Sequence, residues 1–335
     1  MKFRSQTILA AAVAVSNVSV VQAHVFIWGV FVNGVDQGTF NGIRTPAYNG
    51  PPPRGYSNSP VKDLNSIDMR CNVLGDKQVP HTIKVAPGDN ITLDWHHNNR
   101  TIADDVIDFS HHGPALVYLT PDPPTENSFV KIWEKGLYEL GPGPFTPGKW
   151  ATTWDIKANN GLMNFRIPAN LKAGFYLIRA EMVGLHEADA RFDQNSWRGA
   201  QFYPNCVQIE VVGDGNVELP EGVSFPGAYK YDDPGVHYNI YCSTERAPLV
   251  PCTDASTYKI PGPTVWSGAW PETTQVALGP VTGPTTATRW SSWIQQSVVT
   301  TATFNQAGSP VPVATSRYMA SWSLAYAAPT APSAL

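Results

Sequence analysis

His24 is the residue whose type and position could do the most unusual chemistry in this sequence. It follows Val21-Gln22-Ala23, a stretch with the small residues after which signal peptidase cleaves. Cleavage after Ala23 would give His24 a free α-amine beside its imidazole. Both groups can act as neutral ligands near neutral pH, because their ordinary pKa values are about 8 and about 6.5 and a metal ion displaces the proton. Roughly planar sets of nitrogen donors suit Cu(II) best, so we predict that His24 chelates one copper ion.

A second imidazole would complete a set of three nitrogen donors, and the sequence has eight histidines in all. The pair His96-His97 follows an apolar run and is explained equally by a solvated turn or by packing. The pair His111-His112 lies in a turn just before the apolar run at 115–119. A turn that leads into a rigid strand can hold a side chain firmly at a surface. This context favours the second pair but does not choose between its two members.

The segments that must position these histidines have the composition of strands. Residues 25–32 are rich in β-branched and aromatic side chains, and Asn33-Gly34 after them is a strong signal for a type I′ hairpin turn. Residues 174–186 alternate, with an apolar face that ends in His186. Further strands are predicted at 82–85 and 91–95, which we join as a second hairpin, and at 115–120, 164–167 and 207–212. Many short strands with turn-rich connections predict an all-β fold, an antiparallel β-sandwich.

Composition divides the chain into three parts. Residues 1–23 read as a secretory signal peptide, and residues 24–269 as the sandwich domain. Within that domain residues 39–72 are rich in Pro, Gly, Asn and Ser and are predicted to form one long irregular loop. In compact domains a loop of this length is usually functional. Residues 270–335 form a tail dominated by Thr, Ser, Pro and Ala, a composition that predicts disorder.

The leader predicts the compartment in which the protein acts, and the charge balance predicts which classes of partner it does not bind. Lys2 and Arg4 precede an apolar run at 8–15, and no run reaches the roughly 20 apolar residues of a membrane span. We expect a secreted, extracellular protein, with N-glycosylation sequons at Asn90 and Asn99.

Without the two basic residues of the leader the formal charge is 21 − 27 = −6. This charge argues against nucleic acid or an anionic membrane as partner. A charged fraction of 15% with 11% aromatic residues suits a carbohydrate surface instead.

The cysteines predict two disulfides. All four, Cys71, Cys206, Cys242 and Cys252, lie in the predicted sandwich domain. An even number in an oxidising compartment favours complete pairing. Cys242 and Cys252 are close enough in sequence to close one local loop. That assignment leaves Cys71 to pair with Cys206, which ties an early segment of the domain to a late one.

Several motifs occur in an order that is specific as a set. They are the histidine that follows a signal peptide, Ser110-His111-His112-Gly113-Pro114 ahead of Val117-Tyr118-Leu119, and Gln201-Phe202-Tyr203-Pro204-Asn205-Cys206. Ile43-Arg44-Thr45-Pro46, Leu185-His186 and Tyr258-Lys259-Ile260-Pro261-Gly262-Pro263 belong to the same set. The set resembles the fungal lytic polysaccharide monooxygenases of auxiliary activity family 9. The resemblance covers about residues 24–268 and leaves the tail without a counterpart.

The resemblance implies a role for each matching residue. The implied copper ligands are His24, His111 and, in the axial position, Tyr203; the implied residues that position the oxygen species are His186 and Gln201; the implied sugar-stacking residue is Tyr258. The family's pattern carries the ligand as the first histidine after serine, which selects His111 over His112. Gln201 and Tyr203 are two apart, so on a strand both side chains point to the same face.

The resemblance also implies an activity. It is copper-dependent oxidative cleavage of β-1,4-glucan, with cellulose as the expected substrate, at C1, C4 or both. The sandwich is expected to be immunoglobulin- or fibronectin-like, with long loops forming a flat face, in a monomer with one copper ion. The co-substrates are O2 or H2O2 and an external electron donor.

Two alternatives stand beside this interpretation. In one, the same sandwich and histidines bind copper without oxidising glycans. In the other, the protein is a hydrolase with paired carboxylates, for which no spacing of acidic residues argues. The long loop at 39–72, with Tyr48 and Tyr56, and the pair Gln201 and Tyr203 favour the monooxygenase.

Overall fold

The computed structural model of the chain describes residues 24–46, 58–101, 103–139, 147–241 and 258–270, together with the backbone of 294–296 and 317–319. In chain order the elements are β1 (Phe26–Val32), β2 (Val35–Thr39), β3 (Ile43–Arg44), α1 (Asp68–Cys71), β4 (Ile83–Val85), β5 (Asn90–His96), β6 (Ala115–Pro121), β7 (Val130–Lys135), β8 (Leu137–Glu139), β9 (Lys149–Trp150), a π-helix (Ala151–Ile156), β10 (Leu162–Arg166), β11 (Gly174–Gly184), β12 (Gln201–Val211), β13 (Ile294–Gln296) and β14 (Arg317–Met319).

Two sheets form the body of the domain. The first has the strand order β10-β5-β1-β2, and the second has the order β3-β12-β11-β6-β7, with β4 also paired to β12. The pairs within both sheets are antiparallel, except that β4 runs parallel to β12. The prediction of an antiparallel β-sandwich is therefore confirmed.

The central strand β11 is buried on both faces. Its even-numbered residues, Ile178, Ala180 and Met182 among them, belong to the core that also contains Leu93 and Trp95 of β5. This is the apolar face that the alternation predicts. The odd-numbered face is covered as well, because a long C-terminal connection packs Phe225 and Tyr229 over it. Arg179 and Glu181 lie on this covered face and form a fully buried ion pair, with Nη1 of the arginine 2.7 Å from the carboxylate.

The first predicted hairpin is confirmed. Strands β1 and β2 pair antiparallel, with Val32 opposite Val35. The two turn residues between them, Asn33 and Gly34, have φ angles of 51° and 83°. Positive φ at both central positions is what a type I′ turn requires, and asparagine and glycine tolerate it best.

The second predicted hairpin is wrong. Strand β5 is bonded to β1 along one edge and to β10 along the other. No edge of β5 is left for β4, which pairs with β12 in the opposite sheet. The turn at 86–89 is held by the Asp89 carboxylate, which accepts the Ala86 N–H at 2.7 Å, and by the Gly88 N–H, which donates to the Ile167 carbonyl. The turn therefore passes the chain from one sheet to the other.

The segment at 39–72 is less irregular than its composition predicts. It contains the short strand β3, which pairs with β12, and the single turn of helix α1. Cys71 at the end of α1 forms a disulfide with Cys206 of β12, so this predicted pairing is confirmed. The predicted Cys242–Cys252 pair lies outside the described residues, as do Tyr48 and Tyr56.

The remaining predictions about organisation concern the two ends and the surface. In the tail the described strands β13 and β14 pair with each other, with Gln295 opposite Tyr318; the other residues from 271 onward, like residues 1–23, lie outside the described part. Among the described residues no helix has the length and apolar character needed to cross a bilayer. Of the two sequon asparagines, Asn99 is exposed and Asn90 is half-buried at the start of β5. Their glycosylation stays a prediction.

Candidate metal centre

Four chain segments meet at one end of the sandwich and bring the predicted site residues together. His24 directly precedes β1, and His111 lies in the turn before β6. His186 follows the end of β11, while Gln201 and Tyr203 begin β12. In the second sheet Met182 of β11 pairs with Ala115 of β6 on one side and with Tyr203 of β12 on the other. This register sets the turn of His111 and the ring of Tyr203 on either side of β11.

The N-terminal strand comes from the opposite sheet and is fixed to β12 by a buried side chain. The Ile27 N–H donates to Oδ1 of Asn205 over 3.2 Å, and the Asn205 side-chain amide donates to the Tyr203 carbonyl over 3.3 Å. Asn205 is fully buried. Because His24 lies just ahead of Ile27, this bridge between sheets sets the position of His24 relative to Tyr203.

The rings of the site lie within contact or near-contact of one another. The ring centres of His111 and His186 are 4.1 Å apart, with the planes tilted by 39°. The ring of Tyr203 lies 6.0 Å from that of His111 and 6.2 Å from that of His24. The structure thus gathers the four ring-bearing residues that the family resemblance singles out for the metal and its surroundings.

Two glycines allow the close approach of His111. A Cβ on Gly113 would lie 1.8 Å from the Val183 carbonyl oxygen, so only glycine fits after the histidine pair. A Cβ on Gly184 would lie 3.0 Å from Cδ2 of His111 and 3.3 Å from Nδ1 of His186. The turn itself is held by Thr152, whose hydroxyl donates to the His111 carbonyl over 2.7 Å.

The two adjacent histidines have different surroundings. Nδ1 of His111 lies 3.1 Å from the Ser110 hydroxyl, and its Nε2 is buried without a hydrogen-bond partner among the described residues. Nδ1 of His112 lies 2.7 Å from the hydroxyl of Thr153. Of the two histidines, His111 alone has a buried ring nitrogen without a hydrogen-bond partner among the described residues. The sequence context left this choice open.

The histidines of the site are held neutral. Burial lowers the pKa of His24 to about 4, with smaller contributions from His97, His186 and Lys62. Burial also lowers the pKa of His111 to about 3 and the pKa of His186 below its usual value. A neutral imidazole keeps its lone pair, which is the form that binds a metal ion.

Gln201 connects the rest of the site. Its amide nitrogen lies 2.9 Å from a carboxylate oxygen of Glu187 and 3.2 Å from Nε2 of His186. Its amide oxygen accepts the hydroxyl proton of Tyr203 over 2.8 Å. A carboxylate only accepts hydrogen bonds, so the NH2 group must face Glu187, and this fixes the amide orientation. Nε2 of His186 then accepts from Gln201, and the proton of the neutral ring is on Nδ1.

These residues fit a copper ion. The buried and unpartnered Nε2 of His111, close to the neutral ring of His24, is an orphaned donor atom that a metal would satisfy. Imidazole donors suit copper. Tyr203 completes the group as a fully buried phenol, and burial raises its pKa well above the usual value. A neutral phenol oxygen would be at most a weak ligand of such an ion.

Sequence reasoning missed two residues of the site. Glu187 directly follows His186 and fixes the amide of Gln201, and Lys62 lies close enough to lower the pKa of both His24 and His186. The position of Glu187 next to a predicted site histidine was a signal for it. No signal in the sequence pointed to Lys62, because it comes from the segment between β3 and α1.

The other histidine pair is packed. His96 is buried, with Nε2 2.9 Å from the Asp94 carboxylate. His97 forms a group with Asp104 and Asp105 whose possible ligand atoms lie within 4.8 Å of one another. Nδ1 of His97 is 3.1 Å from Asp105, and the carboxylate of Asp104 accepts the His97 N–H over 2.6 Å. These contacts order the loop after β5.

Tyr258 packs against residues outside this group. Its ring is half-buried and packs edge-on against Trp150 and Tyr238, with ring centres 4.7 Å and 4.9 Å apart. Its hydroxyl donates to the Gly235 carbonyl over 3.0 Å. Both the hydroxyl and the ring of Tyr258 thus make contacts within the protein. Sugar stacking by Tyr258 stays a prediction.

Comparison with known sequences agrees with this geometry. A sequence model of Auxiliary Activity family 9 (formerly GH61) matches residues 24–248. An AA9 family lytic polysaccharide monooxygenase A from Aspergillus clavatus is 41% identical over 84% of this chain, and a monooxygenase B of the family from Emericella nidulans is 42% identical over 80%. The chain spans 68% and 66% of the length of these two relatives.

Solved structures of similar proteins have the same fold. CvAA9A superposes with a TM-score of 0.62 at 36% identity, covering 74% of this chain and all of that one. A cellulose-active polysaccharide monooxygenase from M. thermophila superposes with a TM-score of 0.52 at 28% identity, covering 73% of this chain and all of that one. The chain belongs to auxiliary activity family 9, a family of lytic polysaccharide monooxygenases, which are copper-dependent oxidoreductases.

Proposed function

We propose that this protein is a secreted copper monooxygenase that cleaves β-1,4-glucan, with cellulose as its main substrate. Cleavage occurs at C1, C4 or both, with O2 or H2O2 as oxidant and an external electron donor. The observation that carries the proposal is the buried Nε2 of His111, which has no hydrogen-bond partner in the described part of the chain, beside the neutral rings of His24 and His186. The cellulose activity named for the M. thermophila relative supports the choice of substrate.

The chain's own residues divide the work of binding. His24 and His111 would hold the metal through their ring nitrogens, and His24 would add its α-amine once the leader is removed. Tyr203 keeps its proton, because burial raises its pKa well above the usual range, and it would be a neutral group beside the metal. When bound, copper supplies the one-electron redox chemistry that lets O2 or H2O2 take a hydrogen atom from a strong C–H bond.

His186 and Gln201 control protons next to this centre. The amide of Gln201 points its NH2 group at Glu187 and at Nε2 of His186, which leaves the His186 proton on Nδ1. That Nδ1 is buried and has no hydrogen-bond partner among the described residues. It can therefore donate a hydrogen bond to a small molecule bound next to His186 and His111, whose rings are in contact with centres 4.1 Å apart.

Removal of the leader is part of the proposed mechanism. In the uncut chain the nitrogen of His24 is an amide, which binds metal poorly at neutral pH because its lone pair is delocalised. After cleavage behind Ala23 it is an amine with an ordinary pKa of about 8. Cleavage of the leader during the proposed secretion therefore creates the α-amine of His24, one of the proposed metal ligands.

The test is mass spectrometry of the products released from cellulose by copper-loaded, correctly processed protein with a reductant. We expect aldonic acids, 4-ketosugars or both. The control is a variant with one extra residue before His24, which should release no oxidised sugars and bind copper more weakly. Equal activity of that variant would refute the role of the α-amine. Copper binding without oxidised products would support a copper-binding protein that does not oxidise glycans, and plain reducing ends would support a hydrolase.

A further inference from the structure

The motif at residues 258–263 has no part in the metal centre, yet the structure fixes it at two points. The Tyr258 hydroxyl donates to the Gly235 carbonyl over 3.0 Å. The buried ammonium of Lys131 donates to the Pro261 carbonyl over 2.8 Å. One contact ties the segment to the C-terminal connection, and the other ties it to strand β7. The segment is therefore held in one position relative to the second sheet.

Three aromatic rings meet where this segment reaches the sandwich. The ring centre of Tyr258 is 4.7 Å from that of Trp150 and 4.9 Å from that of Tyr238, and the last two are 6.0 Å apart. The planes of each pair are inclined by 69° to 77°, so every contact is edge-on. Edge-on pairs stabilise beyond the area that they bury. We call these three residues the aromatic triad.

One member of the aromatic triad leads to the turn of His111. Trp150 directly precedes the π-helix, which begins at Ala151. The next residue, Thr152, donates its hydroxyl to the His111 carbonyl over 2.7 Å and its N–H to the Gly113 carbonyl over 3.2 Å. A displacement of Trp150 would therefore move the two hydrogen bonds that hold the His111 turn.

A second member leads to the turn of His186. The Tyr238 N–H donates to the Ala188 carbonyl over 2.8 Å. The Ala188 N–H in turn donates to the Leu185 carbonyl over 3.0 Å, which closes a turn around His186 and Glu187. The backbone of Tyr238 therefore holds the turn that carries His186.

Tyr258 joins these two branches. Its ring is the nearest triad neighbour of both Trp150 and Tyr238, and it comes from a third segment of the chain. The ring also packs against Gly136, where a Cβ would lie 3.4 Å from Cε1 of the tyrosine. The Gly136 carbonyl accepts the Ala151 N–H over 3.1 Å, so this contact too borders the first residue of the π-helix.

We propose that Tyr258 is a positioning residue, which through the aromatic triad fixes the His111 turn relative to the His186 turn at the metal centre. Close-packed interiors transmit a displacement from one ring to the next, because they have few voids to absorb it. This inference rests on the proposed function, since the relation of the two turns matters for chemistry only if His111 is a metal ligand. The competing explanation is sugar stacking by Tyr258, which would act on glucan binding and leave the metal unaffected.

The test compares Tyr258→Ala and Tyr258→Phe with Tyr176→Ala and Tyr176→Phe. Tyr176 is a matched control, because its ring is buried and its hydroxyl donates to the Lys172 carbonyl over 2.8 Å. It lies on β11 eight residues before Gly184, and therefore roughly 27 Å from the end of the strand at the metal centre, at about 3.4 Å per residue.

Four quantities are measured on each full mature chain. They are the copper affinity by calorimetric titration, the electron paramagnetic resonance spectrum of the copper-loaded protein, cellulose binding by the copper-free protein, and the urea midpoint. The first two report on the metal centre. The third reports on sugar stacking, and the fourth on general stability.

Tyr258→Ala should weaken copper binding about 10-fold, the lower end of the range for residues that orient metal ligands from outside the donor set. It should also change the copper hyperfine couplings, because the His111 turn relaxes. Tyr258→Phe keeps the ring contacts and should restore both quantities to the wild-type values. Copper-free Tyr258→Ala should bind cellulose as the wild type does. Tyr176→Ala should lower the urea midpoint and keep the copper affinity and spectrum of the wild type.

A double-mutant cycle tests the route through the π-helix. Thr152→Val removes the hydroxyl that holds the His111 carbonyl and preserves the shape of the side chain. If Tyr258 acts through Thr152, the double variant should lose clearly less copper affinity than the product of the two single losses, because coupled residues are not additive. Losses that multiply would overturn this route. Tyr258→Leu, which keeps an apolar side chain, takes the place of Tyr258→Ala if the alanine variant does not fold.

Unchanged copper affinity and an unchanged spectrum in Tyr258→Ala would overturn the proposal, and a loss of cellulose binding in that variant would then assign Tyr258 to sugar stacking. An equal loss of copper affinity in Tyr176→Ala would overturn it as well, since the effect would come from general destabilisation. So would an equal loss in Tyr258→Phe, which keeps the ring. If the wild type binds copper and releases no oxidised sugars, only the proposed function fails, and the copper measurements still decide the role of Tyr258.

Discussion

The backbone N–H of Ile27 donates a hydrogen bond to the side chain of Asn205, 3.2 Å away, and this contact joins the two sheets at the metal centre. Ile27 lies in β1, which begins two residues after His24, and Asn205 lies in the strand of Gln201 and Tyr203. The proposed copper ligands come from both sheets, so their spacing depends on how the sheets are held together. Once the leader is removed, as we propose, His24 has only one chain neighbour, and the contact between Ile27 and Asn205 helps to fix its position.

The first prediction concerns this bridge. Asn205→Ala should leave the Ile27 N–H buried without an acceptor, which costs about 1–3 kcal/mol of unfolding free energy. It should also weaken copper binding about 10- to 100-fold, as is usual for residues that orient metal ligands. Urea unfolding and calorimetric copper titration measure the two effects. Ile91→Val in β5 is the control, since it should destabilise the fold by about 0.5–1.5 kcal/mol and leave copper affinity unchanged. Equal losses of affinity in both variants would contradict a specific role for Asn205.

The second prediction separates the adjacent histidines. His111→Ala should weaken copper binding by more than the roughly 100-fold that outer residues cause, because it removes the unpartnered ring nitrogen. His112→Ala should keep copper affinity and lower the free energy of unfolding by about 1–3 kcal/mol, because the Thr153 hydroxyl loses its buried partner. Copper titration with electron paramagnetic resonance distinguishes the two variants. The reverse result would mean that the His112 ring is the ligand.

The third prediction concerns proton control. His186→Ala should lower the rate of glucan oxidation about 10²- to 10⁴-fold, the usual contribution of a positioned proton donor. Its copper affinity should stay within about tenfold of the wild type. In the structure His186 contacts Gln201 and the ring of His111, and it is not one of the proposed metal ligands. The control is His81→Ala, in the loop before β4, which should behave as wild type. Equal losses of rate and of copper affinity in His186→Ala would make His186 a ligand.

Parts of this structure could be predicted from single residues and parts could not. Asn33-Gly34 predicted the first hairpin because few residue pairs accept positive φ twice. The partner of β4 could not be predicted, since its apolar alternation is the same whichever sheet it joins. The choice between His111 and His112 could not be made from local spacing, because adjacent side chains in a turn diverge according to contacts made with Thr152 and Thr153, some 40 residues later. The match of the ordered motifs to the family's pattern selected His111, which local spacing could not do.

The last prediction concerns pH and a buried carboxylate in β5, Asp94. Burial alone would raise the pKa of Asp94, but the hydrogen bond and charge of His96 and the charge of Arg100 outweigh it and hold that pKa below its usual value. A lowered folded-state pKa adds stability that is complete above the unfolded-state pKa of about 3.9. That stability is lost as the pH falls through the folded-state pKa.

Asp94→Asn should therefore be less stable than the wild type by about 1.5–3 kcal/mol at pH 7, the usual contribution of a hydrogen bond to a charged group. The difference should narrow as the pH falls below about 4, because the Asp94 carboxyl of the unfolded wild type protonates there, before that of the folded protein does at its lower pKa. Urea unfolding between pH 7 and pH 3 measures it. The control is Glu218→Gln, whose exposed pair with Lys172 should contribute nothing measurable at any of these pH values. A difference for Asp94→Asn that stays constant down to pH 3 would show that the carboxylate charge is not what stabilises the fold here.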